Sequence, residues 1–182
     1  MQAATDSVIA PNASLQALST ATDQAEQTAA SNLLLQMATN LRQADNLLEA
    51  LPQALRAGSP DGYCRHVAYA DPSGRFTIVY LVWRSGQHSP VHGHKTWCAY
   101  RVLQGELSET LYDWNPSTQT LSVNGEITRK PGDIFTAIPG LQQTHRLGNS
   151  GDEVAITLHI YGVAEESIST GVNLLPPQPL LQ

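Results

Sequence analysis

The chain has 182 residues, a length that suits one domain with a real buried core. Its formal net charge is −6, and its ten Lys and Arg residues form no run, which argues against a nucleic-acid or anionic-membrane surface. No apolar stretch of about 18 residues occurs. The start MQAATDSVIAPNAS has neither a basic n-region nor a long apolar run, so a cytoplasmic chain without a membrane span or secretory leader is expected, with Cys64 and Cys98 reduced.

Residues 1–28 are rich in Ala, Ser, Thr, Asp and Gln and read as a flexible or weakly helical arm. Over 29–57 the spacing of Leu33, Leu34, Met37, Leu41, Leu47, Leu48 and Leu51 is helical, and Pro52 with Gly58-Ser59-Pro60 ends it. One or two helices packed on the outside are expected. From Tyr63 the pattern turns to strands: Arg75 to Trp83, Trp97 to Leu103, Leu107 to Trp114, Ile134 to Ile138 and Val154 to Tyr161. Ser85-Gly86, Gln104-Gly105, Asn115-Pro116, Asn124-Gly125, Pro131-Gly132 and Pro139-Gly140 read as turns between them. Many short strands without helical spacing between them imply a mainly β sandwich or barrel over 58–170. A Pro-rich tail follows over 171–182, in a single domain overall.

The strongest chemical signal is His92-Gly93-His94. Residues i and i+2 of a strand share a face, so both imidazoles enter one space, and imidazole suits Fe, Zn, Cu or Ni. Such a pair alone is weak evidence. Its surroundings, from Gly86 through Cys98 to Gly105 and then GDIFTAIPGLQQTHRLGN with His145, resemble the two motifs of the cupin superfamily. That resemblance implies a jelly-roll β-barrel with a divalent metal on His92, His94 and His145. Most cupins carry a glutamate ligand after the second histidine; here Cys98 stands in its place. Three neutral histidines leave the site at +2, and a substrate thiolate would suit it.

More specifically, HGHKTWCAYRVLQGELSETLY resembles the metal motif of the cysteine dioxygenase family, with the His94-to-Cys98 spacing one residue shorter. THRLGN resembles that family's third-ligand segment, and AITLHIYG its S-L-H-L-Y strand, giving Thr157, His159 and Tyr161. Tyr63-Cys64-Arg65 resembles its Y-x-R, and Trp83 stands nine residues before His92, as a tryptophan does in the family. The resemblance covers roughly Tyr63 to Gly162. It implies iron(II) on the three histidines, a carboxylate clamp at Arg65 with Tyr63 and Trp83 lining the substrate site, and catalytic roles for Tyr161, His159, Thr157 and Cys98. It also implies a Cys98–Tyr161 thioether, which the shortened spacing challenges.

The activity so implied adds both atoms of O2 to the sulfur of a small carboxylate-bearing thiol, giving a sulfinate in sulfur metabolism. Cysteine, mercaptosuccinate and 3-mercaptopropionate all stay open as substrates. The branch that acts on 3-mercaptopropionate places an arginine soon after the His-x-Tyr strand, whereas GVAEESISTGVN holds none. The expected partners are the thiol and O2, with no nucleic acid or membrane, in a monomer or small homo-oligomer. A non-oxidative metal cupin (an isomerase or hydrolase, or a zinc site with Cys98 as fourth ligand) and a non-catalytic small-molecule-binding cupin are the alternatives. Trp97 and Arg101 fall on the face opposite His94 and Cys98 and are read as packing and surface. His66 and His88 are read as non-ligands, and Glu165 and Glu166 as solvated charges.

Overall fold

The computed structural model describes residues 12–177; the first eleven residues of the expected arm and the last five of the expected tail lie outside them. Two units result, 1–33 and 34–182. The described part of the first is helical and exposed, the opening of helix α1 (Ala13–Gln43). Neither Gly nor Pro interrupts this stretch, and Asn12 starts it by accepting the Leu15 amide on its side chain at 2.9 Å. One continuous helix therefore forms where one or two were expected. Among the described residues no helix is long and apolar enough to cross a membrane.

In the second unit ten strands form two sheets. These are β1 (Cys64–Ala70), β2 (Thr77–Trp83), β3 (His92–His94), β4 (Cys98–Gln104), β5 (Leu107–Asn115), β6 (Thr120–Arg129), β7 (Ile134–Ala137), β8 (Gly140–Gly148), β9 (Ala155–Tyr161) and β10 (Asn173–Leu174). One sheet runs β1-β2-β9-β4-β7 and the other β10-β3-β8-β5-β6, with antiparallel pairing throughout. This is the two-sheet form of a jelly roll. Among the described residues no ladder joins the two sheets, so the expected barrel is a sandwich of two sheets rather than a closed cylinder.

One turn expectation is overturned, and another turn leads straight into a strand that the sequence reading did not place. Asn124-Gly125 is not a turn: it lies inside β6, where Leu111 pairs Gly125 and Tyr112 pairs Val123, leaving Asn124 as the extra residue of a bulge. Its amide then donates to Asp113 at 2.8 Å. A bulge and a turn favour the same small polar residues, which is why the strand was hidden. Pro139-Gly140 opens strand β8 directly, and that strand carries His145.

The central strands β2 and β9 of the first sheet are buried on both faces, which explains the unbroken apolar reading of β2. Val79, Leu81 and Trp83 point inward with Tyr100, Val102, Leu107 and Leu147. Tyr80, Val82, Ile156, Leu158 and Ile160 point outward and are covered by Leu41 and Leu51, with Met37, Leu47 and Leu48 beside them. Polar contacts fasten this cover. Arg101 donates to the carbonyls of Leu41 and Ala44 at 2.7 and 2.9 Å, meeting acceptors at the end of α1 that have no intrahelical donor. The Tyr80 hydroxyl donates to the Leu47 carbonyl at 2.6 Å. Arg101, expected as a surface residue, thus holds the cover, and Trp97 packs on the same outer cluster.

Candidate active site

Pleat and register bring the chemistry together on the inner faces. His92 sits directly opposite His145 in the β3–β8 pair, and His94 follows two residues on, so three imidazoles converge. Their ring centroids are 4.7 to 5.6 Å apart, and one nitrogen from each lies within 4.8 Å of the others. All three are buried. The glycine between the first two is required: a Cβ at Gly93 would run into the Gly140 carbonyl oxygen.

The free nitrogens follow from the hydrogen bonds. His92 Nδ1 lies 2.8 Å from the Pro90 carbonyl, and His145 Nδ1 lies 2.6 Å from a Glu109 carboxylate oxygen. Both partners accept only, so each Nδ1 carries a proton, and in the neutral form of each ring the lone pair is on Nε2. His94 Nδ1 is buried with no partner among the described residues. Burial, with the neighbouring histidines, lowers His92 and His94 to about 3, so both rings are neutral at pH 7. Three buried imidazoles with a ring nitrogen each within 4.8 Å of the others fit a divalent transition metal. Cys98 is not in this group, and neither are His66 and His88.

A second chain of contacts crosses the facing sheet. Trp83 donates from Nε1 to Thr157 Oγ1 at 3.1 Å; Thr157 lies 2.8 Å from His159 Nε2; and His159 Nδ1 lies 2.9 Å from the Tyr161 hydroxyl. Indole is donor only, so Thr157 accepts from it. Its own proton has one acceptor among the described residues, His159 Nε2, which leaves Nδ1 as the donor to the Tyr161 oxygen. The Tyr161 proton is then free to point into the cavity. Burial holds His159 well below and Tyr161 well above their ordinary values, so both are neutral.

Beside this chain, Tyr63 stacks on Trp83 with centroids 4.3 Å apart, and Arg65 donates to the Tyr63 hydroxyl at 3.0 Å. Among the described residues lining the cavity Arg65 is the one permanent charge, and no carboxylate lines it. Cys98 is buried directly across from Tyr161 in the β4–β9 pair, and burial raises its thiol to about 12. The cavity is small. All ten predicted site residues line it except Thr157, which stands one hydrogen bond behind. Glu165 and Glu166 lie exposed, away from the lining.

The sequence reading missed Glu109, Arg129, Tyr100, Phe135 and Asn173. Phe135 stacks on both His145 and Tyr100, and Tyr100 stacks on His159. The Tyr100 hydroxyl is buried without a partner among the described residues. One signal was available for Glu109: it alternates with Leu107 and Leu111, an acid at an inward position of a strand.

Comparisons with known proteins give the family of the chain. The family model for cysteine dioxygenase type I matches residues 58–169. Cysteine dioxygenase type 1 of Rattus norvegicus is 33% identical over 92 residues, which cover 49% of this chain and 46% of the relative. The Danio rerio protein of that name is 30% identical over 102 residues, covering 54% and 50%. This chain thus spans about half the length of the curated relatives it matches. A solved cupin superfamily protein from Desulfitobacterium hafniense is 18% identical, with a TM-score of 0.47 over 62% of this chain and 89% of that one. The family match contains all ten of the residues just described, and the chain belongs to the cysteine dioxygenase type I family.

Proposed function

We propose that this chain is a non-heme iron(II) thiol dioxygenase that converts a small carboxylate-bearing thiol and O2 to a sulfinate. The observation that carries the reading is the juxtaposition, in one small cavity, of three histidines with converging ring nitrogens, a guanidinium that meets no carboxylate among the lining residues, and a tyrosine whose proton is free. His92, His94 and His145 would hold the metal. Bound iron(II) would supply the Lewis acidity that ionises a thiol and the electrons that let O2 react.

The chain's own residues supply the rest. Arg65 offers a planar fork that suits a carboxylate, and its bond to Tyr63, itself stacked on Trp83, limits the fork's orientation before substrate arrives. Tyr161 directs its proton toward the reacting sulfur or oxygen, with its orientation held through His159, Thr157 and Trp83. Leu81, Leu147 and Tyr100 wall the cavity and keep water out. A small cavity with one permanent cation favours cysteine or a mercapto acid of similar size, mercaptosuccinate and 3-mercaptopropionate included. The cross-strand position of Cys98 supports a thioether to Tyr161, whose sign is an intact mass two hydrogens below that of the sequence.

The test is anaerobic loading with Fe(II), then oxygen-electrode assays with cysteine, 3-mercaptopropionate, mercaptosuccinate and cysteamine. Uptake of one O2 per thiol with a carboxylated substrate, and none with cysteamine, is expected. Iron-loaded protein that consumes no O2 with any of the four would overturn the reading.

A further inference from the structure

The mechanism leaves one costly group unused. Glu109 is wholly buried, with no exposed surface, on a strand whose other inward residues are apolar. Buried charge is expensive, and a leucine would fill such a position more cheaply if packing were its only purpose. Register explains what the carboxylate meets. Glu109 lies opposite Leu147 on β8 and Ile127 on β6, so His145 and Arg129, each two residues away, are its diagonal neighbours on the same face. One carboxylate oxygen lies 2.6 Å from His145 Nδ1 and the other 2.5 Å from Arg129 Nε. The Arg129 guanidinium in turn rests over the Phe135 ring, which stacks on the His145 imidazole at 5.2 Å. The imidazole is therefore held at its edge by the carboxylate and on its face by Phe135.

We propose that Glu109 is a positioning residue for His145: braced by Arg129, its carboxylate holds the imidazole as the Nδ1–H tautomer and aims Nε2 at the centre of the three-histidine cluster. The inference rests on the metal-binding part of the proposed function. Phe135 alone would leave both the flip and the tautomer unset: a flipped ring turns Cε1–H, and the other tautomer turns Nε2–H, toward the cluster in place of a lone pair. The carboxylate removes that freedom, because it accepts and never donates. Arg129 occupies the second oxygen and so fixes the plane of the first.

The experiment reads the tautomer before any metal is added. In metal-free protein labelled with ¹⁵N-histidine, the His145 ring is expected as a single Nδ1–H tautomer. In Glu109→Ala it becomes a mixture, and anaerobic Fe(II) affinity falls about 10–100-fold, the usual cost of losing such a partner. Glu109→Gln keeps an acceptor, so it retains the tautomer and loses less affinity than Glu109→Ala. In a His145→Ala background, Glu109→Ala should weaken Fe(II) binding no further, since its effect passes through that ring. An Nε2–H tautomer in the unsubstituted protein overturns the proposal, even if Glu109→Ala fails to fold. So does an equal loss of affinity with and without His145, which would mark a merely structural role. If the tautomer and the metal coupling hold while no thiol is oxidised, the dioxygenase reading fails alone.

Discussion

The two faces of the β1-β2-β9-β4-β7 sheet do opposite things with the same strands. Along β9, Ile156, Leu158 and Ile160 face outward into an apolar seam closed by Leu41 and Leu51. Thr157, His159 and Tyr161 alternate with them and face inward, tied in a line of hydrogen bonds that ends at the cavity. The outer face needs volume and hydrophobicity, and its contributions are close to additive. The inner face needs specific donors and acceptors, and removing one changes what its neighbours do. A single strand thus carries an apolar seam on one side and a line of hydrogen bonds to the cavity on the other, separated only by the pleat.

The sharpest way to break the comparison is on the outer face. Leu158→Ala should cost about 2–5 kcal/mol of stability, read as a lower urea midpoint, while metal stoichiometry and KM stay unchanged. A loss of metal binding in the folded variant would show that the faces are not independent. On the inner face, Tyr161→Phe should leave stability and metal binding near normal and lower kcat about 10²–10³-fold, the cost of removing one preorganised donor. Arg65→Met should raise KM for carboxylated thiols about 10–100-fold, the worth of a charged hydrogen bond, with a smaller change in kcat.

Acid should separate the faces too. His92 and His94 titrate near 3 when folded and near 6.5 when unfolded. Between those values the unfolded chain binds more protons, so the stability of metal-free protein falls as pH drops from about 6.5 toward 3, by at most about 1.4 kcal/mol per pH unit for each histidine. Replacing either ring by Gln should flatten that slope in urea titrations at several pH values. The smallest effect belongs to the cover: Arg101→Met should cost about 1 kcal/mol for the carbonyls it leaves without a donor, with kcat unchanged.

Much of the site was legible because alternation in strands is a strict code. His92 and His94 had to share a face, as did Thr157, His159 and Tyr161, and each set does. Trp83, expected at the substrate site, lines the cavity and also anchors Thr157, a contact across 74 residues that no local pattern announces. Strand β6 escaped notice because a bulge at Asn124 has the composition of a turn. Arg101 was taken for surface because its partners are backbone carbonyls, which have no sequence signature.

By itself the sequence determined the mainly β class, the two histidine segments, the Tyr63–Arg65 pair and the inward triad of β9, because each depends on spacing within one segment. Only the tertiary structure decided that the jelly roll stays open as two sheets and that Cys98 meets Tyr161. It alone decided that a buried Glu109 stands between Arg129 and His145. Those are matters of register between strands far apart in the chain. Register is set by the packing of the whole core, and no window of sequence contains it.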